Sequence, residues 1–376
     1  VYILAEAFMI LTAIGIIILF LTLIRVTVAL VNLVTRPYLP SETPSDNNYP
    51  ALSVLIPVRN EEAKIGSLLS SLLMLPYGDT EILVYDDGST DGSTAIIKKY
   101  AYKDRRIRYI KGGELPEGWT GKNHACHMLA SEAGGEFMIY LDADVTVGSD
   151  LLRRAVSYAR RHDLTLLSIF PQQVMKNRGE KIVVPFMFRM LLSLLPLILI
   201  RHSSWSSFSA ANGQMMLFRS SDYRKHHFHE KVKGRLAEDI EIMRTVKRSG
   251  LKGDTLIGGD EIECRMYSCY SEAVKGFARN IFSMFGNSIL FFLLFSLTGL
   301  FGWIILLFLP WYFITSYIFM VISLNAMIAI ASHQRVADNL VWLLPGIAAF
   351  YHIALLAVIT AAGGRYEWKG RQMKRQ

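Results

Sequence analysis

The chain has 376 residues, 52% of them hydrophobic, with a mean hydropathy of +0.29 and a formal charge of +8. It is too apolar for an ordinary soluble enzyme and too charged in its middle for a pure membrane bundle, so a polar domain with membrane segments at its ends is expected. No helix-turn-helix, zinc-finger or aromatic RNA-binding pattern accompanies the charge, which argues against a nucleic-acid partner and for anionic lipid and a phosphate-bearing substrate.

The first apolar run, residues 7–24, is eighteen uncharged residues long, enough to span a bilayer, with Glu6 before it and Arg25 and Arg36 after it. Positive-inside counting places the domain after it in the cytoplasm. A cleaved signal peptide fits less well, because no Lys or Arg precedes the run and Arg25 stands where a cleavage site belongs. Residues 1–36 therefore read as an uncleaved anchor. Residues 37–50 contain Pro37, Pro40, Pro44 and Pro50 among Ser, Asp and Asn, and read as a linker free of helix and strand.

A polar domain is expected over 51–280. Residues 52–58 form an apolar strand, followed by Arg59-Asn60-Glu61-Glu62 and a helical pattern over 63–73. A second strand over 81–85 ends in Asp86-Asp87-Gly88-Ser89-Thr90-Asp91, and a helix over 93–100 follows. The repeated order of strand, polar loop and helix predicts a mostly parallel sheet with helices on its faces. The acidic turn suits hydrogen bonds from a nucleotide, and equally suits a solvated cap for the next helix. In the loop 115–125, Lys122 at a helix start is placed to reach a phosphate and Trp119 to cover a ring; an exposed Lys and a packed Trp are the plain alternatives.

The next strand, 137–141, ends abruptly in Asp142-Ala143-Asp144. Two carboxylates at the carboxyl end of a buried strand form a hard oxygen site suited to Mg²⁺ or Mn²⁺ on a diphosphate, although acids are also common in plain turns there. An amphipathic helix over 150–162 and a strand over 164–170 follow. Residues 182–200 are apolar but interrupted by Pro185, Arg189 and Pro196, which favours a helix lying in the membrane interface over one that spans it. Asn212-Gly213-Gln214 leads into an apolar run, where Gly213 suggests close approach to a ligand. His226, His227 and His229 lack a matching acid or cysteine motif and read as polar surface. Glu238-Asp239 opens a helical pattern that closes at Gly250, a position where acids also suit the helix dipole.

The C-terminal part, 281–364, holds an uncharged run over 281–332, long enough for two spans turning near Pro310, and another over 339–364. Trp303, Trp311, Tyr312, Trp342 and Tyr351 mark interfaces. Three spans would carry the basic tail, 365–376, outside against the charge rule, so one of the three segments is expected to be interfacial or re-entrant. Cys126, Cys264 and Cys269 form no disulfide framework and no paired metal motif, which fits a reducing compartment.

In this order, the acidic turn 86–91, Gly121-Lys122, Asp142-Ala143-Asp144 and Glu238-Asp239-Ile240-Glu241 resemble the inverting family 2 glycosyltransferases of the GT-A fold, over roughly residues 52–280. The resemblance implies an α/β nucleotide-diphospho-sugar transferase fold, with Asp86 and Asp87 on the uridine-like part of the donor and Pro57, Arg59 and Glu61 in the same donor pocket. It implies Asp142 and Asp144 as ligands of Mg²⁺ or Mn²⁺ on the diphosphate, Asp239 as general base with Glu238 beside it, and Lys122 and Gln214, with Asn212, on the phosphate and sugar. Arg279 would approach the diphosphate from the membrane side.

The anchor, the stretch Trp119 to Cys126 and Glu367-Trp368-Lys369-Gly370-Arg371-Gln372 look like bacterial lipid-modifying members, the diaponeurosporenoate glycosyltransferases of carotenoid synthesis and the hopanoid-associated glycosyltransferases. The function implied is a multi-pass enzyme of the bacterial cell membrane, its catalytic domain cytoplasmic, that transfers one hexose from a UDP-sugar to a lipid acceptor. A processive polysaccharide synthase is the alternative within the family. Its Gln-x-x-Arg-Trp motif is missing, since the chain reads Gly276-Phe277-Ala278-Arg279-Asn280-Ile281-Phe282. A non-catalytic scaffold binding nucleotide sugar or lipid is the alternative outside it, against which the full set of acids argues.

Overall fold

The computed structural model describes residues 2–41, 49–286, 288–363, 365–368 and 371–374. They divide into a helical unit drawn from 1–36, 175–196 and 267–364 and an α/β unit drawn from 37–174, 197–266 and 365–376. The second differs from the polar domain expected over 51–280, because residues 175–196 and the helix Tyr270–Met284 belong to the helical unit.

The α/β unit contains, in chain order, β1 (Leu52–Val58), β2 (Thr80–Asp86), β3 (Ile107–Lys111), β4 (Phe137–Leu141), β5 (Val145–Val147), β6 (Leu166–Phe170), β7 (Gln172–Gln173), β8 (Met215–Arg219), β9 (Gly253–Ile257) and β10 (Ile262–Cys264). Seven of these form one sheet in the order β3-β2-β1-β4-β8-β6-β9, while β5, β10 and β7 form a small second sheet. All pairings in the large sheet are parallel except those of β8, which runs antiparallel to both β4 and β6. The parallel strands are near-continuous apolar runs because both faces are covered, and Val54, Ile56, Val84 and Ile139 are fully buried. The helix Leu151–Arg161 shows how the cover is made, turning Leu151, Leu152, Ala155, Val156 and Ala159 inward as one stripe.

Strand order reverses between β1 and β4, so the loops that follow them diverge and leave a crevice at their carboxyl ends. Residues 37–39, expected to avoid regular structure, pair with the sheet edge instead. Ile257 N–H donates to Pro37 O at 2.8 Å and Leu39 N–H to Ile257 O at 3.2 Å, making Tyr38 a parallel bridge beside β9. Pro37 tolerates this place because an edge needs donors on one side only. The rest of the expected linker, 42–48, lies outside the described residues.

In the helical unit, four helices are long and apolar enough to cross a membrane: Ala5–Thr35, Ile289–Leu306, Trp311–Ala331 and Leu343–Thr360. The turn near Pro310 is as read, with Pro310 capping Trp311–Ala331. Three such helices stand in the C-terminal part, and length and composition single out none of them as interfacial. The apolar stretch 182–200 is not one helix. It is divided among Arg178–Val183, Phe186–Leu194 and Ile198–His202, with Pro185 as the N-cap of the second and Pro196 just past its end, since a proline ring and its missing N–H interrupt the ladder. The C-terminal segment forms an antiparallel pair, β11 (Arg365–Trp368) and β12 (Arg371–Lys374).

Candidate active site

The loops after β1 and β2 are fastened to each other. Val58 and Asp86 are register partners, and Asp87 N–H donates to Val58 O at 2.8 Å. Asn60, in the left-handed region at φ 53°, turns the first loop so that its Oδ1 accepts from Thr90 N–H at 2.8 Å and its own N–H donates to Ser89 Oγ at 3.0 Å. Arg59 Nη1 donates to Asp87 O and to Gly88 O, Glu62 Oε2 accepts from Gly92 N–H at 2.9 Å, and Glu61 N–H donates to Ser93 Oγ at 2.8 Å. Asp86 uses both carboxylate oxygens inside this network, on Ser89 N–H at 2.8 Å and on the Thr94 hydroxyl. Pro57 lies in β1 opposite Tyr85. The expected donor residues Pro57, Arg59, Glu61, Asp86 and Asp87 are thus neighbours, and the buried Asp86 holds the shape of the turn after β2.

The second half gathers around Lys122. The helix Gly121–Glu132 starts with Thr120 as N-cap, its side chain accepting from Asn123 N–H, so Lys122 projects from the first turn. Its Nζ lies 3.0 Å from the Asp142 carboxylate at the end of β4 and 3.3 Å from Glu238 Oε1 at the start of the helix Glu238–Arg248. Burial alone would lower the Lys122 pKa, but the Asp142 and Glu238 carboxylates outweigh it and hold the ammonium well above its ordinary value. The side chain stays 24% exposed, enough for an incoming phosphate to take over from the carboxylates. Gly213 leaves room beside it: a Cβ there would sit 2.9 Å from Lys122 Nζ and 3.1 Å from Glu238 Oε1 and would displace one of these side-chain ends.

Asp239 accepts from Gly213 N–H at 3.0 Å and from Ile240 N–H at 2.8 Å. Burial and the neighbouring Glu238 charge push its carboxyl up to about 7, with the two N–H groups and Lys122 opposing. A carboxyl in that range can gain or lose a proton near neutral pH. Asp144 is pushed up to about 6 by burial and by Asp142, with Lys64 Nζ 3.7 Å away opposing. Its Oδ1 is shielded from solvent with no hydrogen-bond partner among the described residues. An orphaned carboxylate oxygen beside a second carboxylate fits a divalent cation. Two protein ligands leave most of the coordination shell to phosphate oxygens and water, as suits Mg²⁺ or Mn²⁺ on a diphosphate.

The remaining expected residues fall differently. Gln214 is buried, with Nε2 donating to Cys264 Sγ at 2.8 Å and Oε1 accepting from Asn212 Nδ2 at 3.2 Å, while its backbone oxygen accepts from Asp142 N–H at 3.1 Å. Asn212 and Gln214 therefore hold the floor under the acid pair. Arg279 lies on Tyr270–Met284 in the helical unit. Trp119 packs against the rings of His124 and His127, at 5.5 and 5.1 Å between centroids. His229, expected on a polar surface, is buried with Nδ1 2.7 Å from the Tyr223 hydroxyl, and burial drives its pKa down to about 3.

The sequence reading passed over Asn123. This side chain is fully buried, and its Nδ2 faces Val232 O at 2.9 Å, Lys233 O at 3.1 Å and Arg235 O at 3.1 Å. It clamps the loop that delivers Glu238 and Asp239 to Lys122. The only hint in the sequence was its place next to Lys122 at a helix start.

With this geometry in hand, residues 53–225 match the family described as Glycosyl transferase family 2. Among curated proteins it is similar to 4,4'-diaponeurosporenoate glycosyltransferases. One from Staphylococcus haemolyticus (strain JCSC1435) is 26% identical over 61% of this chain and 61% of its own length. Another, from Staphylococcus aureus (strain MRSA252), is 31% identical over 35% of each. In both, the chain spans less than two thirds of the relative's length. Among solved structures, a mannosyltransferase from Pyrobaculum calidifontis in complex with GDP-Man and Mn²⁺ is 17% identical with a TM-score of 0.49, covering 94% of this chain and 92% of that one.

Proposed function

We propose that this chain transfers a single hexose from a nucleotide diphospho-sugar, of the UDP-sugar class, to a membrane lipid with inversion at the anomeric carbon. The observation that carries the reading is the Lys122 ammonium held between Asp142 and Glu238, with Asp144 and Asp239 on either side. Donor-side and acceptor-side carboxylates meet there at one cation. Asp86, Asp87, Pro57, Arg59 and Glu61 form the nucleoside end of the pocket. Asp142 and Asp144 would hold Mg²⁺ or Mn²⁺, which neutralises charge on the departing diphosphate when bound. Lys122 turns from the carboxylates to the same phosphate oxygens.

The acceptor oxygen bonds to the anomeric carbon as that carbon's bond to the diphosphate oxygen breaks. The acceptor proton passes to Asp239, and the bonding electrons leave with the nucleoside diphosphate. A base with a pKa near 7 serves a hydroxyl acceptor, whereas a carboxylate lipid such as diaponeurosporenoate arrives already ionised and needs none. A hydroxyl-bearing lipid is accordingly the preferred acceptor. The four apolar helices suit an enzyme that takes this substrate from the bilayer, with the α/β unit in the cytoplasm.

The test is a donor screen: purified full-length chain, Mg²⁺ or Mn²⁺, a panel of nucleotide sugars and a bacterial lipid extract with one hydroxyl lipid and one carotenoid acid added, read by mass spectrometry. One hexose on a hydroxyl lipid is the expected product. A ladder of added hexoses refutes single transfer, addition to the carotenoid acid alone refutes the acceptor class, and no adduct from any donor refutes the enzyme.

A further inference from the structure

Two arginines of the helical unit face no carboxylate among the described residues. Arg25 is the single charged residue between Glu6 and Arg36 in the helix Tyr2–Thr35. Its guanidinium donates to Ser193 Oγ at 3.2 and 3.4 Å and lies 5.0 Å from the centroid of the Phe295 ring. Arg189, on Phe186–Leu194, reaches Asn339 O at 3.4 Å through Nη2, while its Nε is shielded from solvent with no acceptor among the described residues. Ser193 connects the two, since it stands one turn after Arg189, donates to Arg189 O at 2.6 Å and accepts from Arg25. Asn32 secures this arrangement, its Nδ2 donating to Leu192 O at 3.0 Å and Leu195 O at 2.9 Å.

The unit has few acids to offer them. Its described residues include nine Lys and Arg against four acids, Glu6, Glu180, Glu272 and Asp338. Glu180 closes the capping box of Arg178–Val183, Glu272 accepts from Ser268 N–H and Oγ at 2.8 Å, and Asp338 pairs with Lys181 at 3.1 Å. Glu6 is exposed and stands nineteen residues before Arg25 on the same helix, roughly 28 Å along its axis. Burying cations without counter-charge is costly, and intramembrane arginines mark sites where something supplies it. The source of that charge is indicated by the surroundings. Phe291, Leu294 and Leu297, on the helix that carries Phe295, are exposed, as are Leu21 and Ile24 beside Arg25. A dissolved anion gains nothing from those side chains, whereas acyl chains do.

We propose that Arg25 and Arg189 bind the anionic head group of a membrane lipid, a phosphate ester whose acyl chains lie on the exposed apolar side chains around them. The site rests on the reading that the helical unit lies in a bilayer. It is tested with the full chain in nanodiscs of phosphatidylcholine containing a minority of phosphatidylglycerol, followed by native mass spectrometry of the lipid that stays bound. Phosphatidylglycerol is expected to be retained roughly tenfold above its share, the scale of two cations on one anion. Arg25→Gln with Arg189→Gln removes the enrichment, and Lys275→Gln, at an exposed position of the same unit, leaves it.

Equal enrichment in the double variant overturns the site. If the double variant fails to fold, each single variant is expected to lose about threefold, half of the effect on a logarithmic scale. No loss in either single variant overturns the site as well. Inorganic phosphate added to phosphatidylcholine nanodiscs should leave the thermal midpoint unmoved, and stabilisation equal to that from phosphatidylglycerol would assign the site to a free anion instead. A wild-type chain that does not enter nanodiscs removes the bilayer reading itself; entry without enrichment removes the arginine site alone.

Discussion

Replacing Asp239 by Asn should abolish transfer and at the same time stabilise the fold, and the two effects have one cause. The Asp239 carboxyl sits at about 7 in the folded chain against 3.8 for the free group, so the folded state binds its proton more tightly than the unfolded state does. The stability this provides is complete below the unfolded value and drains away as pH rises from about 4 to about 7. A shift of roughly three units corresponds to about 4 kcal/mol, and coupling to Glu238 together with partial solvent access reduces the usable part to about 2 kcal/mol. Asn carries no charge to bury. It keeps an acceptor for one of the two backbone N–H groups that Asp239 serves and leaves the other short, at a cost of about 1 kcal/mol.

The net gain at pH 8 is about 1 kcal/mol, roughly 1 °C in thermal midpoint for a chain of this size, and by pH 4 it turns into a loss of about 1 kcal/mol. Transfer to a hydroxyl lipid should fall by roughly 10²–10⁴-fold, the range for loss of a general base. The assay is product formation by mass spectrometry beside thermal unfolding at both pH values. A variant that turns over normally, or one destabilised equally at pH 8 and pH 4, would show that Asp239 is an ordinary helix-start carboxylate.

Three further outcomes are expected from the same geometry. Asp144→Ala should abolish calorimetrically measured binding of Mn²⁺ in the presence of UDP and remove metal-stimulated transfer; unchanged binding would locate the metal elsewhere. Asn123→Ala removes the side-chain donor shared by three carbonyls, of which Val232 O and Lys233 O keep backbone donors, and should cost roughly 1–2 kcal/mol of stability. The same change should speed amide exchange over residues 232–239 and lower kcat more than it raises the donor KM, and a uniform rise in exchange across the sheet would argue for a purely structural role. Gly213→Ala puts a methyl group into the space between Lys122 and Glu238 and should reduce transfer at least tenfold with little change in thermal midpoint, while near-normal activity would show that the two side chains separate freely.

Much of the strand and loop framework around Asp86 and Asp142 was legible in the primary structure because it rests on local rules. An apolar run that stops at Asp142-Ala143-Asp144 is a buried strand ending at a sheet edge, and four residues of turn chemistry after β2 announce a loop whatever packs around it. The three apolar C-terminal helices and the turn at Pro310 were readable for the same reason, since length and uncharged composition are one-dimensional properties. Proline was read too simply in two places. Residues 182–200 kept their apolar character but were divided among three helices, and Pro37 joined a sheet edge whose existence depends on β9, more than two hundred residues away.

The residue types needed for phosphate, metal and proton chemistry, and the strands and helices that present them, were determined by the sequence itself, because hydrophobic periodicity and helix-start preferences act over a few neighbours. Which carboxylate does which work was decided only by tertiary structure. Asp86 and Asp142 are both acids at strand ends, yet one is used up inside its own loop while the other faces Lys122 across the crevice. Asp239 is pushed up toward neutrality by burial and by the adjacent Glu238 charge, against Gly213 N–H and Lys122, which the fold brings to it from other elements. Desolvation and charge proximity depend on distances in three dimensions, and those are set by long-range contacts such as the Asn123 clamp.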